Sequence, residues 1–289
     1  KKFVTENGMR CLLEYTRVVF GLWSVWWYVC GGGSAGLGDC RKLRFLHCGK
    51  SAGGTVLAVL EEHHVKGKIA FAHDHGMTSR NVLASECAWI VVRNPVDRFV
   101  SAFLYRREKS AKKSLPKEEQ DSFRRFPSVN ALAESLFSED KTIRLSAQMA
   151  VWSGKHTNRD LRFYLKTLPP ARIVASRFCC ILEDISQIFD ALDIPYGRRI
   201  RQPPGVWHNV SSASTRDLTL SRLGYANLLK WLQHDIDLIA SLVRAGKLPK
   251  FPPYEGPPFW DDTEGGLDIT IRDAKLVQQI HYNQSKGVL

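Results

Sequence analysis

The feature that most constrains the fold is a short apolar run that breaks into glycines and then resumes with helical spacing, FLHCGKSAGGTVLAVL, residues 45–60. Leu43 to Cys48 are largely apolar, as in a short strand buried on both faces of a parallel sheet. After Thr55, the residues Val56, Leu57, Val59 and Leu60 read as the first turns of a helix packed on that sheet. Strand, glycine loop and helix together present backbone N–H groups and a helix N-terminus to an anion. Lys50 adds a full positive charge inside the loop.

The loop is not that of a nucleoside triphosphatase. Gly49, Lys50 and Ser51 imitate the second half of the GxxxxGK[ST] pattern, but Arg44 stands at its first glycine. Such a site also needs a buried strand that ends in a metal-holding aspartate. The next strongly apolar run, Trp89-Ile-Val-Val92, ends instead in Arg93, which repels a metal and attracts a phosphate. Taken alone, the loop also reads as a glycine turn with a solvated lysine.

The segment AWIVVRNPVDRFVSAFLYRR, residues 88–107, parses as a strand followed by a helix. Asn94 is a good N-cap, Pro95 suits the first helical position, and Asp97 completes a start resembling a capping box. Ser101 then lies two turns past the cap on the same face, so Arg93 and Ser101 can close on one anion. Phe99, Val100, Phe103 and Leu104 form the buried stripe.

These two segments resemble the binding signatures of sulfotransferases that use 3′-phosphoadenosine 5′-phosphosulfate (PAPS). In that family a lysine, glycine and threonine loop takes the 5′-phosphosulfate, and an Arg-x7-Ser segment takes the 3′-phosphate. RNPVDRFVSAF matches the second signature, and AHDHGMTS, residues 72–79, occupies the place of a His-Asp-His stretch found in bacterial and algal members of the family-2 type. By motif order the resemblance covers about residues 43–245. The lysine-to-threonine spacing is one residue longer than the common one, and Gly49 replaces a frequent proline.

The resemblance implies a three-layer α/β fold with a mostly parallel central sheet and a P-loop-like phosphosulfate-binding loop. It implies PAPS as cofactor and adenosine 3′,5′-bisphosphate as product. Lys50, Ser51, Ala52, Gly53, Gly54, Thr55 and Val56 would meet the 5′-phosphosulfate, with Lys50 also on the bridging oxygen where charge develops. Arg93 and Ser101 would take the 3′-phosphate, and Arg199 and Arg201 lie in a basic loop that covers the nucleotide in relatives. The acceptor hydroxyl or amine needs a base near neutrality, which histidine supplies. KIAFA, residues 68–72, reads as a second strand, so His73, Asp74 and His75 fall at the carboxyl edge where open α/β sheets bind ligands. His75, followed by Gly76, is the narrow choice for the base, with His73 or Asp74 orienting it. No third ligand sits at a usable spacing for a metal.

Two other functions compete. One is an ATP-dependent small-molecule kinase, against which Arg44 and Arg93 speak; the other is a non-catalytic anion- or glycan-binding module on the same fold. The acceptor stays open among glycan, small alcohol, phenol, other small metabolite and protein tyrosine. A net charge of +12 attracts anions of all kinds, but no zinc-finger, RNA-binding or helix-turn-helix signature supports a nucleic-acid partner.

With the resemblance, the 289 residues are expected to divide into an N-terminal segment 1–40, a sulfotransferase domain 41–250 and a C-terminal strap 251–289. Val18 to Cys30 is apolar, shorter than the ~20 residues a membrane span needs, so a signal-anchor remnant and a packed segment both stand. Cytoplasmic placement is favoured over a Golgi-type membrane-anchored lumenal one, and the oligomeric state is open. Residues 108–127 and 195–216 read as long loops. The seven cysteines show no disulfide-scaffold or metal spacing, with Cys179 and Cys180 expected as small buried side chains at a strand-to-helix junction. Leu218, Tyr225, Leu229, Leu232, Ile236, Ile239 and Val243 recur at helical spacing, which makes Tyr225 and Trp231 packing residues.

Overall fold

The computed structural model describes residues 40–248 apart from 64, 66, 112–114, 167, 198–199 and 201–219. The N-terminal apolar segment, the C-terminal strap, Leu218 and the basic loop with Arg199 and Arg201 lie outside the described residues.

Four short apolar runs become strands β1 (Leu43–Phe45), β2 (Ile69–Ala70), β3 (Cys87–Val92) and β4 (Ile173–Arg177). They form one sheet in the order β2-β1-β3-β4, with every neighbouring pair parallel. All six residues of β3 are buried, as expected for a central strand covered on both faces. Side chains still alternate: Trp89 and Val91 join one core, Ala88, Ile90 and Val92 the other.

The first core is closed by α1 (Gly53–Glu62), through Val56, Leu57, Val59 and Leu60, and by α7 (Ile181–Ala191), through Ile185, Ile188 and Phe189. The second is closed by α6 (Leu161–Leu165) and α9 (Gln233–Arg244). Helix, sheet and helix make the three-layer α/β architecture that the apolar runs implied. A third cluster packs α2 (Pro95–Ala111) with α4 (Val129–Ser135), α5 (Lys141–Ser153) and α8 (Arg222–Trp231).

Three expectations are revised. Residues 108–127 are mostly helical: α2 continues to Ala111, and α3 (Lys117–Arg125) follows, held by the buried Arg106–Glu119 ion pair. The long C-terminal helix is two helices, α8 and α9, broken at Leu232; Tyr225 and Trp231 pack as expected. Cys40 and Cys87 form a disulfide that ties the chain ahead of β1 to the start of β3.

Because all four strands run the same way, the segments that follow them converge on one edge. Lys50 follows β1, His75 follows β2, Arg93 follows β3 and Phe178 follows β4. That edge is where ligands bind in open α/β sheets.

Candidate functional site

The loop after β1 is a tight turn in which Lys50 and Ala52 both take left-handed backbone, φ 65° and 55°. Neither is glycine, so the turn holds strain of the kind found at ligand-binding sites. Two glycines have a steric reason. A Cβ on Gly53 would lie 1.8 Å from the His47 ring, and one on Gly49 would lie 2.6 Å from His156 Nδ1. Gly49 therefore makes room for an imidazole. The Tyr164 hydroxyl accepts a hydrogen bond from Gly49 N at 3.3 Å and anchors the turn to α6.

Helix α1 starts at Gly53, three residues earlier than expected, with no side-chain cap on its N-terminus. Its first N–H groups are those of Gly53, Gly54 and Thr55, the donors a helix leaves without internal partners. A Cβ on Gly54 would meet nothing within 4 Å, so this side of the turn is open. Ser51 is 1% exposed and its Oγ has no hydrogen-bond partner among the described residues. A buried hydroxyl facing an open anion-attracting turn fits a phosphate-bearing group. Val56 does not: its side chain is core and its N–H donates to Ala52 O at 3.1 Å, so nothing of it is left to face a ligand.

Lys50 is held over the ring of Tyr105, with Nζ 4.1 Å from the centroid. Burial and then the neighbouring Arg93 charge push its pKa down to about 8. Arg93 Nη1 donates to Lys50 O at 3.1 Å, which joins the two sequence signatures directly. The Arg93 guanidinium also lies 4.4 Å above the Phe178 ring. Asn94 Oδ1 accepts from Val96 N and Asp97 N at 2.9 and 3.3 Å, so it caps α2 as expected. Ser101 is half-buried two turns further along α2.

Strand β2 stops at Ala70, so His73, Asp74 and His75 sit in a turn and do not alternate as a strand would. His73 points outward and pairs with Glu61 at 2.7 Å, both exposed. Asp74 Oδ1 accepts from Gly76 N at 2.7 Å and shapes the turn. Neither residue is seen oriented toward His75. His75 instead has Nδ1 3.2 Å from the His47 carbonyl. A carbonyl only accepts, so Nδ1 carries the hydrogen and Nε2 keeps its lone pair. Burial, the largest influence, lowers the His75 pKa below the usual histidine range.

Sequence reasoning missed His47 and His156. Their rings flank His75, with centroids 4.0 and 5.0 Å away, and Tyr105 continues the wall 5.6 Å beyond His156. Burial and then the facing His75 hold both flanking imidazoles down to about 3, so they are neutral at physiological pH. His47 Nδ1 and His156 Nδ1 have no hydrogen-bond partner among the described residues. The signals were present as HCGK and GKHT, each a histidine beside a glycine and a lysine, but only the close approach at Gly49 and Gly53 reveals why. Among the described residues no group of His, Cys, Asp or Glu is arranged to hold a metal ion.

The backbone of His75 is fixed from behind. Arg159 Nη1 donates to His75 O at 2.8 Å, and Arg98 Nη1 donates to Arg159 O at 2.9 Å. Arg98 in turn forms a buried ion pair with Asp235 on α9 at 3.1 Å. Asp235 Oδ1 also accepts from Leu161 N at 2.6 Å, so one carboxylate bridges α2, α6 and α9 beneath the site.

The carboxyl edge of the parallel sheet thus carries an anion-attracting turn, an arginine and a neutral histidine within one candidate site. Residues 50–171 match the model of the family described as Sulfotransferase family, so this stretch of the chain is similar to that family. The matched range begins at Lys50 and includes His75, Arg93, Ser101 and His156. Comparison with curated proteins and with solved structures found no match.

Proposed function

We propose that this protein transfers the sulfuryl group of PAPS to a hydroxyl or amine of a glycan or small-molecule acceptor. The observation that supports this reading best is the hydrogen bond from Arg93 Nη1 to Lys50 O, because it brings the turn assigned to the 5′-phosphosulfate against the arginine assigned to the 3′-phosphate. When bound, PAPS supplies an activated sulfuryl group. Ser51, Gly53, Gly54 and Thr55 would hold its 5′-phosphate with backbone and hydroxyl donors, and Arg93 with Ser101 would hold the 3′-phosphate. Arg199 and Arg201 are assigned to the nucleotide cover.

Lys50 places a positive charge where negative charge builds up as the sulfuryl group leaves, and contributes most in the transition state. His75 Nε2 takes the proton of the acceptor. His47 orients it through its carbonyl, and the neutral His47 and His156 rings keep a second positive charge from forming beside the base. His73 and Asp74, exposed at the turn, shape its outer side.

Thermal unfolding tests the cofactor. Adenosine 3′,5′-bisphosphate should raise the Tm far more than AMP or ATP at equal concentration, since only it uses both half-sites. Arg93→Ala should erase most of that difference, worth roughly 1.5–3 kcal/mol for a charge-assisted contact. An equal shift from ATP with magnesium would replace this reading with a kinase.

A further inference from the structure

The junction between β4 and α7 carries an arrangement that sulfuryl transfer does not use. Phe178, Cys179 and Cys180 form a single 3-10 turn between strand and helix. Cys179 is exposed and Cys180 partly so, contrary to their expected burial, and their Sγ atoms are 3.3 Å apart. On either side the chain is clamped. Arg177 donates from Nη2 to Asp184 Oδ1 at 2.5 Å, and Asp184 Oδ2 accepts from Arg177 N at 2.5 Å. Asp184 is buried, so the end of β4 and the first turn of α7 move as one. The residue next to the pair, Phe178, is the one beneath the Arg93 guanidinium.

We infer that Cys179 and Cys180 are a vicinal dithiol modification site, open to disulfide reagents and trivalent arsenicals, whose oxidation weakens the grip of Arg93 on its anion. The coupling half rests on the assignment of Arg93 to the 3′-phosphate. Adjacent Cα atoms lie ~3.8 Å apart across an ordinary peptide bond. A relaxed disulfide needs ~4.4–6.8 Å between Cα atoms and ~2.05 Å between sulfurs. Bonding Cys179 to Cys180 therefore has to distort the local backbone. With Arg177 and Asp184 locked together, the distortion falls on residues 178–180 and displaces the ring that supports Arg93. An arsenical bridges the two sulfurs with no such demand, because it inserts an atom between them.

The chemistry balances with a small-molecule disulfide such as oxidised glutathione. The Cys179 thiolate attacks one sulfur of the reagent, forming a mixed disulfide and releasing one glutathione thiolate, which takes up the proton lost by Cys179. Cys180 then attacks the Cys179 sulfur and releases the second glutathione, which takes the second proton. Two protein thiols are oxidised and one disulfide is reduced to two thiols. The Cys40–Cys87 disulfide places the same chain in contact with such oxidants, since bridges of that kind form in oxidising compartments.

The test treats the full chain with oxidised glutathione, then measures the mass of the peptide carrying both cysteines and the affinity for adenosine 3′,5′-bisphosphate. The expected result is loss of two hydrogens from that peptide and binding weakened about 5- to 10-fold, the order set by losing a stacked cation contact. Mild dithiol reductant should restore both. Cys179→Ser and Cys180→Ser should each keep full affinity under oxidant and fail to retain phenylarsine oxide, which the unaltered chain binds in equal amount. A peptide that remains a dithiol or carries only glutathione adducts overturns the site. A vicinal disulfide with unchanged bisphosphate affinity overturns the coupling. Reduced protein that ignores the bisphosphate overturns the cofactor assignment and the coupling together, while the mass and arsenical readouts still decide the dithiol.

Discussion

Acidification from about pH 7.5 to about pH 5.5 should cost the fold about 1.4 kcal/mol for each of His47 and His156. Both rings are held near 3 in the folded protein. His47 is half-buried and faces His75 and His73; His156 is buried and faces His75, Arg106, Lys50 and Arg159. Unfolded, each titrates near 6.5. The folded pKa is the lower one, so the unfolded chain binds the extra protons. Stability is therefore complete above about 6.5 and is lost as pH falls toward 3. Over the two pH units each unfolded ring gains nearly one full proton for part of the range, and the pair sums to about 2.7 kcal/mol. That is a large share of a typical stability of about 5–15 kcal/mol. Asp235, whose pKa burial raises, acts in the opposite direction at the acid end. Urea unfolding at a series of pH values, without reductant, reads the loss as a falling midpoint at constant m. His156→Gln should remove about half of the pH dependence. A flat profile in the unaltered chain, or an unchanged slope in both His156→Gln and His47→Gln, would refute the claim that these imidazoles are buried neutral.

Four further outcomes are expected. The pH profile of kcat/KM should be a bell whose acid limb, set by His75, lies below the usual histidine value and whose basic limb, set by Lys50, lies at about 8; His75→Ala should abolish the acid limb while His73→Ala leaves it in place. Lys50→Ala should lower kcat far more than it weakens bisphosphate binding, and normal turnover at saturation would remove Lys50 from catalysis. Gly53→Ala should destabilise by about 1–3 kcal/mol through the clash with His47, visible as a lower urea midpoint. Arg98→Met should cost about 3–5 kcal/mol by leaving Asp235 charged and buried, and Arg98→Met with Asp235→Leu should recover much of it.

Local sequence carried the elements and the two motifs of the candidate site. Asn94, Pro95 and Asp97 start a helix by their own hydrogen bonding and backbone geometry, and the run around Trp89 is apolar enough to be a central strand wherever it packs. The order of strand, glycine turn and helix implied a parallel sheet, and with it the convergence of Lys50, His75 and Arg93 on one edge. Residues 108–127 were misread because charge and a proline suggested a loop, whereas Arg106 and Glu119, a buried pair, hold the segment as helix. No local pattern announces such a pair.

What the sequence by itself determined is the chemistry that is short in range: strand, turn, cap and the arginine-to-serine spacing across one strand-to-helix junction. Only the tertiary structure separates His73 from His75, which are equivalent in composition and differ in whether Glu61 or the His47 carbonyl receives them. It alone brought His156 from a distant segment against Gly49, joined Arg93 to Lys50, and exposed Cys179 beside Phe178. Each of those outcomes depends on contacts between residues far apart in the chain, where burial sets protonation and the neighbour, not the residue type, sets the role.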